Sequence, residues 1–404
     1  MKSLIILIFT LISIIHNPLL AQISWEQKSS MPAVGRAYPI SFSIGDKGYF
    51  GTGGISFTYY KDFWEYDPVT DTWTQKADVS NIGRTGAVSF AINDRGYVGM
   101  GTTTNGIIND FWEYNPTTNS WSQKAIFPGL NRFNAVGFSI NDKGYVGTGS
   151  SSTSIGNETT EFWQYDPLTN SWNQKADFGG SPRSRAVGFS IVDRGYIGTG
   201  YPIQGSSSNP DDFWEYNPDT DNWTQKANYP GGQTNNGAAF ALGNNNGYIG
   251  MGYLNKIDFW KYDKSNDSWS QILFFEGPAR IALTSCSINN KGYLGFGYSA
   301  TSTGSIDYND LWEFEDQQIN LNTVPINYES NEISIYPNPT ENVLNVVTSN
   351  TYKPVKYVIY DLTGKIKINT NKSKINVKNL MTGTYIISIE NLKGEKLNKM
   401  FIKQ

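Results

Sequence analysis

Apolar and polar positions along this chain never settle into a sustained helical period. They fall into short runs divided by turn residues, and one such unit stands for the rest: "AVGFSINDKGYVGTG" (Ala135–Gly149), a variable stretch, then "EFWQYDPLTNSWNQKA" (Glu161–Ala176). The small and apolar run Ala135–Ile140 predicts a strand, a. The turn Asn141-Asp142-Lys143 leads into a second strand, b, Gly144–Thr148. Strand c is Phe162–Tyr165. Asp166-Pro167-Leu168-Thr169-Asn170 is a turn by its Pro and Asn content. Strand d begins at Ser171 and carries Trp172.

This unit recurs along the first 316 residues. Its Gly-Tyr pair returns at Gly48, Gly96, Gly144, Gly195, Gly247 and Gly292, at spacings of 48, 48, 51, 52 and 45. Four-stranded repeats of ~40 to 50 residues predict a β-propeller. The glycines beside strand b and the Tyr-Asp-Pro-x-Thr-x-x-Trp turn resemble the kelch repeat. The resemblance covers about three quarters of the chain. Its glycines read Gly-Thr-Gly or Gly-Met-Gly, and Gly53-Gly54 is the one true doublet, so the units are divergent.

The 12 tryptophans show how the repeats end. Trp64, Trp112, Trp163, Trp214, Trp260 and Trp312 sit in strand c. Trp73, Trp121, Trp172, Trp223 and Trp269 follow nine residues later in strand d. Trp312 has no follower, and Trp25, in "ISWEQK", has no predecessor. The N-terminal segment is therefore expected to supply strand d of the sixth blade. A ring of sheets that merely stopped would leave an unpaired edge, and a strand lent across the seam removes it. The expected class is all-β: a six-bladed kelch-type propeller over residues 22–316, closed by its N-terminal strand.

Composition agrees. Charged residues are 17% while glycine numbers 40, which suits short strands and tight turns better than helices. Residues 1–21 read as a secretory signal peptide: Lys2, the apolar run Leu4–Ile15, and a small-residue site at Leu19-Leu20-Ala21. That run is too short to span a bilayer stably, and no other segment is expected to form a transmembrane helix. The single histidine, His16, lies in this leader. The single cysteine, Cys286, sits where other repeats carry Phe42, Phe90, Phe138 and Phe189, so it is expected to be a buried core thiol.

Charge divides the chain. Gln22–Val324 holds 20 Lys and Arg against 30 Asp and Glu. From Pro325 onward 11 lysines face six acids. An acidic body argues against nucleic acid as a partner. After a polar linker, 317–331, alternating apolar positions and Gly-containing turns predict a small β-sandwich over 332–404. Tyr336-Pro337-Asn338-Pro339-Thr340, Asp361-Leu362-Thr363-Gly364-Lys365 and Leu380-Met381-Thr382-Gly383-Thr384-Tyr385 resemble, in order and spacing, the landmarks of the C-terminal sorting domain of the type IX secretion system of Bacteroidota. The resemblance implies recognition by that machinery, passage through the periplasm, and release or anchoring at the cell surface.

In a four-stranded antiparallel blade the a–b and c–d turns leave at one end, the b–c and d–a loops at the other. The second pair varies in length and content, which makes that end the candidate functional face. Its d–a loops carry Arg36, Arg84, Arg132, Arg183 and Arg280, each twelve residues before a strand-b glycine; Thr234 takes the place in blade five. These arginines would either ring the mouth and take a carboxylate, sulfate or phosphate, or tie blade to blade through Asp62, Asp110, Glu161, Asp212, Asp258 or Asp310. Tyr38, Tyr60 and Phe133 lie on the same loops and would offer ring faces to a sugar. Glu276, four residues before Arg280, is the acid that would pair with it in proton transfer.

The kelch resemblance implies several activities, and the residues exclude some. The copper site of a galactose oxidase needs histidines and a Tyr–Cys pair. Ordinary zinc hydrolysis and Ser–His catalysis need histidine too, and past residue 21 there is none. No metal or cofactor is expected, and Asp/Asn turns such as Asp67–Asp71 read as hairpins rather than calcium loops. The leading reading is a secreted or surface binding module for glycans or protein partners through the b–c/d–a loop face, with an acidic glycan or a protein as the expected ligand. A sialic-acid-mutarotase-like or other carbohydrate-active enzyme is the alternative.

Overall fold

The computed structural model describes residues 23–154, 156–202, 210–254, 256–316, 333–348, 353–361, 366–391 and 396–404. The expected signal peptide, the linker 317–331 and Gly364 lie outside them. Among the described residues every regular element is a β-strand. The chain divides into two compact units.

The larger unit contains six four-stranded antiparallel sheets. Sheet 3 shows the plan: Val136–Ile140, Lys143–Gly147, Phe162–Asp166 and Ser171–Lys175, paired in chain order. Sheets 1, 2, 4 and 5 begin at Ile40, Val88, Val187 and Ala238 and are built the same way. Sheet 6 departs from it. Thr284–Ile288, Lys291–Gly295 and Leu311–Asp316 are completed by Ile23–Lys28, with Trp25 opposite Phe314.

The alternation within strand a explains the layering. Val136, Phe138 and Ile140 are buried, while Gly137 and Ser139 are half-buried and face a central cavity. The recurring glycine of strand b answers a neighbour: a Cβ on Gly144 would run into the ring of Phe90 from the preceding sheet. The same holds for Gly195 against Phe138 and Gly247 against Phe189. In sheet 6, where Cys286 replaces the phenylalanine, Gly48 meets Ile288 instead. Cys286 is buried, as its place in the repeat predicts, and desolvation pushes its thiol up to about 12.

Aromatic rings join one sheet to the next. Phe111 of sheet 2 packs edge-on against Tyr165 and Trp172 of sheet 3, at 4.8 and 4.9 Å. Phe162 meets Tyr216 and Trp223 of sheet 4 at the same separations. Polar links reinforce the stacking. The N–H of Ala125, just past sheet 2, donates to Asn170 in the c–d turn of sheet 3, and the Trp172 indole donates back to the Ala125 carbonyl. Asp71, Asn119, Asp221 and Asp267 do likewise for Ser29, Ala77, Ala176 and Ala227.

The smaller unit is a β-rich domain of two antiparallel sheets. One holds Ile333–Tyr336, Val343–Thr348 and Lys374–Asn376; the other holds Ile366–Thr370, Pro354–Asp361, Gly383–Asn391 and Lys396–Lys403. Both supply one core, including Leu344 and Ile375 from the first and Ile359, Ile387 and Phe401 from the second.

Candidate functional site

The five arginines of the d–a loops are the largest fully buried side chains of the unit. Each Nη1 donates to the carbonyl sixteen residues on: Thr52, Met100, Thr148, Thr199 and Phe296. Each guanidinium also holds a carboxylate just before strand c. Arg36 grips Asp62 at 2.6 and 3.0 Å, Arg84 grips Asp110 at 2.6 and 2.7 Å, and Arg183 grips Asp212 at 2.6 and 2.9 Å. Arg132 holds Glu161 and Arg280 holds Asp310. The strand-c indole two residues on donates to the same acid, as Trp112 does to Asp110. An enclosed guanidinium needs a partner of opposite charge, and the b–c loop supplies one from within the same sheet. The ties therefore run inside sheets rather than from sheet to sheet, and solvent does not reach these five cations.

Sheet 5 shows what happens without the arginine. Thr234 Oγ1 donates to the Met251 carbonyl at 2.7 Å, and Asp258 accepts the Trp260 indole at 2.8 Å. Lys256 lies beside this acid; burial lowers its ammonium pKa, and the charge of Asp258 opposes the shift.

The other expected site residues separate. The Tyr60 ring lies 4.5 Å from the Arg36 guanidinium and serves as its packing surface. Glu276 is exposed, while the Arg280 guanidinium is buried on Asp310, so the structure does not bring them together. Phe133 is half-buried and lines a pocket of about 200 Å³ with Ser150, Ser152, Glu158, Arg185 and Tyr201. Tyr38 lies at the centre of the loop face.

That centre is organised by a ring of backbone hydrogen bonds. The N–H of Tyr38 donates to the carbonyl of Ala282, Ala282 to Asn236, Asn236 to Arg185, Arg185 to Asn134, Asn134 to Gly86, and Gly86 back to Tyr38, over 2.7 to 3.3 Å. One residue comes from the d–a loop of each sheet. All six are left-handed, with φ of 51, 58, 56, 57, 51 and 61° in that order. Glycine and asparagine tolerate this conformation, while Tyr, Arg and Ala are held in it at a cost of order 1–2 kcal/mol each.

The ring surrounds a cavity of about 180 Å³. This cavity shares Ser41, Ser89, Gly137, Gly188, Ala239 and Ser285 with a second chamber of about 380 Å³, lined further in by Ser43, Ser139, Ser190 and Ser287. Burial raises the pKa of the Tyr38 phenol; the charge of Arg185 and the Asn236 amide oppose the shift, and Tyr298 adds to it. Tyr38 of sheet 1 therefore reaches into the neighbourhood of side chains from sheets 4, 5 and 6. Sequence reading singled out Tyr38 and missed Arg185, Asn134 and Asn236. The signal was available: each ring residue lies two positions after the loop arginine or Thr234.

In the smaller unit, Asn338 and Thr340 of the Tyr336–Thr340 stretch hold the last strand. Asn338 Oδ1 accepts the Ile402 N–H at 2.8 Å. Thr340 donates to the Ile402 carbonyl at 2.8 Å and accepts from Gln404 at 2.9 Å. Tyr385 stacks on Phe401 at 5.7 Å and donates to the Met381 carbonyl. Tyr336 is exposed. No curated protein matches the chain. Residues 334–403 match the family described as the secretion system C-terminal sorting domain. The C-terminal unit is a type IX sorting domain, and the protein that carries it is exported to the cell surface or beyond.

Proposed function

We propose that residues 23–316 form a closed six-bladed propeller of the kelch type, and that the exported protein binds carbohydrate on the b–c/d–a loop face. The hydrogen-bond ring through one residue of each sheet, and the N-terminal strand paired in sheet 6, support closure. The observation that carries the binding reading is a broken symmetry. Six backbone positions share one conformation and one hydrogen-bond pattern, yet they hold Tyr38, Gly86, Asn134, Arg185, Asn236 and Ala282. Architecture alone asks only for a residue that accepts a left-handed backbone. Varied side chains on a regular frame are how a rigid scaffold presents a site, and fold by itself does not license an enzyme.

The test is a glycan array probed with the full chain and with a variant carrying Asn134→Gly and Asn236→Gly, which keeps the backbone conformation. Retention of a defined glycan set, lost in the variant, is the expected result. Retention of no glycan, or retention indifferent to the variant, sinks the reading; in the first case a protein partner takes its place.

A further inference from the structure

We propose that Arg185 anchors a binding site for the carboxylate of an acidic sugar, at the junction of the central mouth and the side pocket. This deepens the carbohydrate-binding reading and rests on it.

Of the eight arginines, Arg36, Arg84, Arg95, Arg132, Arg183, Arg194 and Arg280 each hold a carboxylate; among the described residues Arg185 holds none. Its side chain is half-buried and lines both cavities. Its backbone is pinned on both sides, by the bond from its own N–H to Asn134 and the bond it accepts from Asn236. It is held at a φ of 57°, where Asn134 and Asn236 stand in other sheets. An arginine is poorly suited to that conformation, so its side chain, not its backbone, accounts for its presence. The guanidinium lies 5.5 Å from the ring of Tyr201, which limits where its fork can point.

The pocket around it has the chemistry of a sugar site. Phe133 and Tyr201 offer ring faces for C–H surface, and Ser152, Thr153 and Ser154 offer hydroxyls, while Ser150 donates its own to the Ser152 carbonyl at 2.8 Å. Glu158 lines the same pocket and accepts the Gly156 N–H at 3.1 Å, leaving acceptor capacity for a ligand hydroxyl. One guanidinium and one carboxylate lining the same pocket suit a ligand of single negative charge with hydroxyl donors. A phosphate or sulfate dense in charge and without donors would meet Glu158 unfavourably. The planar fork of arginine matches a carboxylate by two parallel hydrogen bonds. The surrounding acidic body gives no general attraction for anions, so discrimination would come from this side chain.

The experiment compares the methyl glycosides of glucuronic and galacturonic acid with those of glucose and galactose, by calorimetry and saturation-transfer NMR on the full chain. At least one uronide should bind tenfold or more tightly than its neutral counterpart. Arg185→Asn should erase that preference with no loss of thermal stability, because asparagine already occupies this backbone position at 134 and 236 and tolerates it better than arginine. Arg185→Lys, which keeps charge but not the fork, should lose most of it. Equal affinity for acid and neutral sugars, no binding of either uronide, or a preference that survives Arg185→Asn would overturn the site. If neutral glycans are still retained on the array, the carboxylate site falls alone; if no glycan is retained, both readings fall.

Discussion

Trp25 stands opposite Phe314 in the outer pair of sheet 6, their rings 4.8 Å apart. In the other five sheets the same position pairs tryptophan with tyrosine, as Trp73 with Tyr66 and Trp121 with Tyr114. The difference has a cause. Each of those tyrosines donates its hydroxyl to the c–d turn five residues on, as Tyr66 does to Asp71. Sheet 6 has no such turn, because its outer strand comes from the opposite end of the repeats. A phenol there would lack that acceptor, and the residue is Phe. The polar links to sheet 5 are different as well: Asp316 accepts the Tyr248 hydroxyl at 2.7 Å and pairs with Lys261 at 2.8 Å.

Trp25 packs on Phe259, Phe275 and Phe314 and is 5% exposed. Trp25→Ala is expected to cost about 3–5 kcal/mol and to lower the thermal midpoint, read by intrinsic fluorescence and circular dichroism. A parental midpoint would show that the borrowed strand does not hold sheet 6 together.

Arg84 and Asp110 are expected to matter for stability. Arg84→Ala leaves a carboxylate in a mostly enclosed site, and removing one member of such a pair costs about 3 kcal/mol or more. Urea unfolding measures this. A stable Arg84→Ala chain that has lost glycan retention would return the arginine register to the role of ligand.

Between neutral and acid pH, stability should change only at the acid end. Burial raises the Asp71 and Asp221 carboxyls, but hydrogen bonds outweigh it, from Ser29 and Tyr66 to Asp71 and from Ala176 and Tyr216 to Asp221, and both pKa values end below the ordinary range. A folded pKa held below its unfolded value gives stability that is complete above about pH 4 and is lost as the pH falls through the folded value. The unfolding midpoint should be level from pH 7 to 5, since the single histidine, His16, lies outside the described residues and none follows it, and should fall below pH 4. Asp71→Asn with Asp221→Asn should flatten that acid limb, because Asn119 and Asn170 accept the same bonds without titrating. An unchanged acid limb in the double variant would refute this account.

Export should fail without the C-terminal unit. Deleting residues 334–403 is expected to keep the protein from the cell surface and the medium, followed by immunoblotting of cell fractions. Asn338→Ala, which removes the bond to Ile402, should reduce export in step with its loosening of the last strand, read as faster amide exchange at the C-terminus. Undiminished export of the deletion would contradict the sorting role.

Much of the fold was legible because repetition multiplies weak signals. One Trp nine residues after another says little; five such pairs, with Trp25 and Trp312 left over, place Ile23–Lys28 beside Leu311–Asp316. The sorting landmarks were legible because each is a short contiguous motif, whereas the clamp from Asn338 and Thr340 onto Ile402 and Gln404 joins segments far apart in the chain. The arginine register was legible as a register and not as a role. Spacing puts Arg36, Arg84, Arg132, Arg183 and Arg280 at one height, but whether they face solvent depends on a carboxylate 26 to 30 residues away folding back over them.

The sequence by itself determined the four main strands of each repeat, the all-β class of the body and the export route, since these follow from local pattern and periodicity. Tertiary structure decided which cations are enclosed and which is left open. Arg183 and Arg185 are two residues apart in one loop. The first turns inward onto Asp212; the second holds no carboxylate among the described residues and lines the mouth. Pairing and burial depend on which segments meet in space, and no reading of a loop alone contains that.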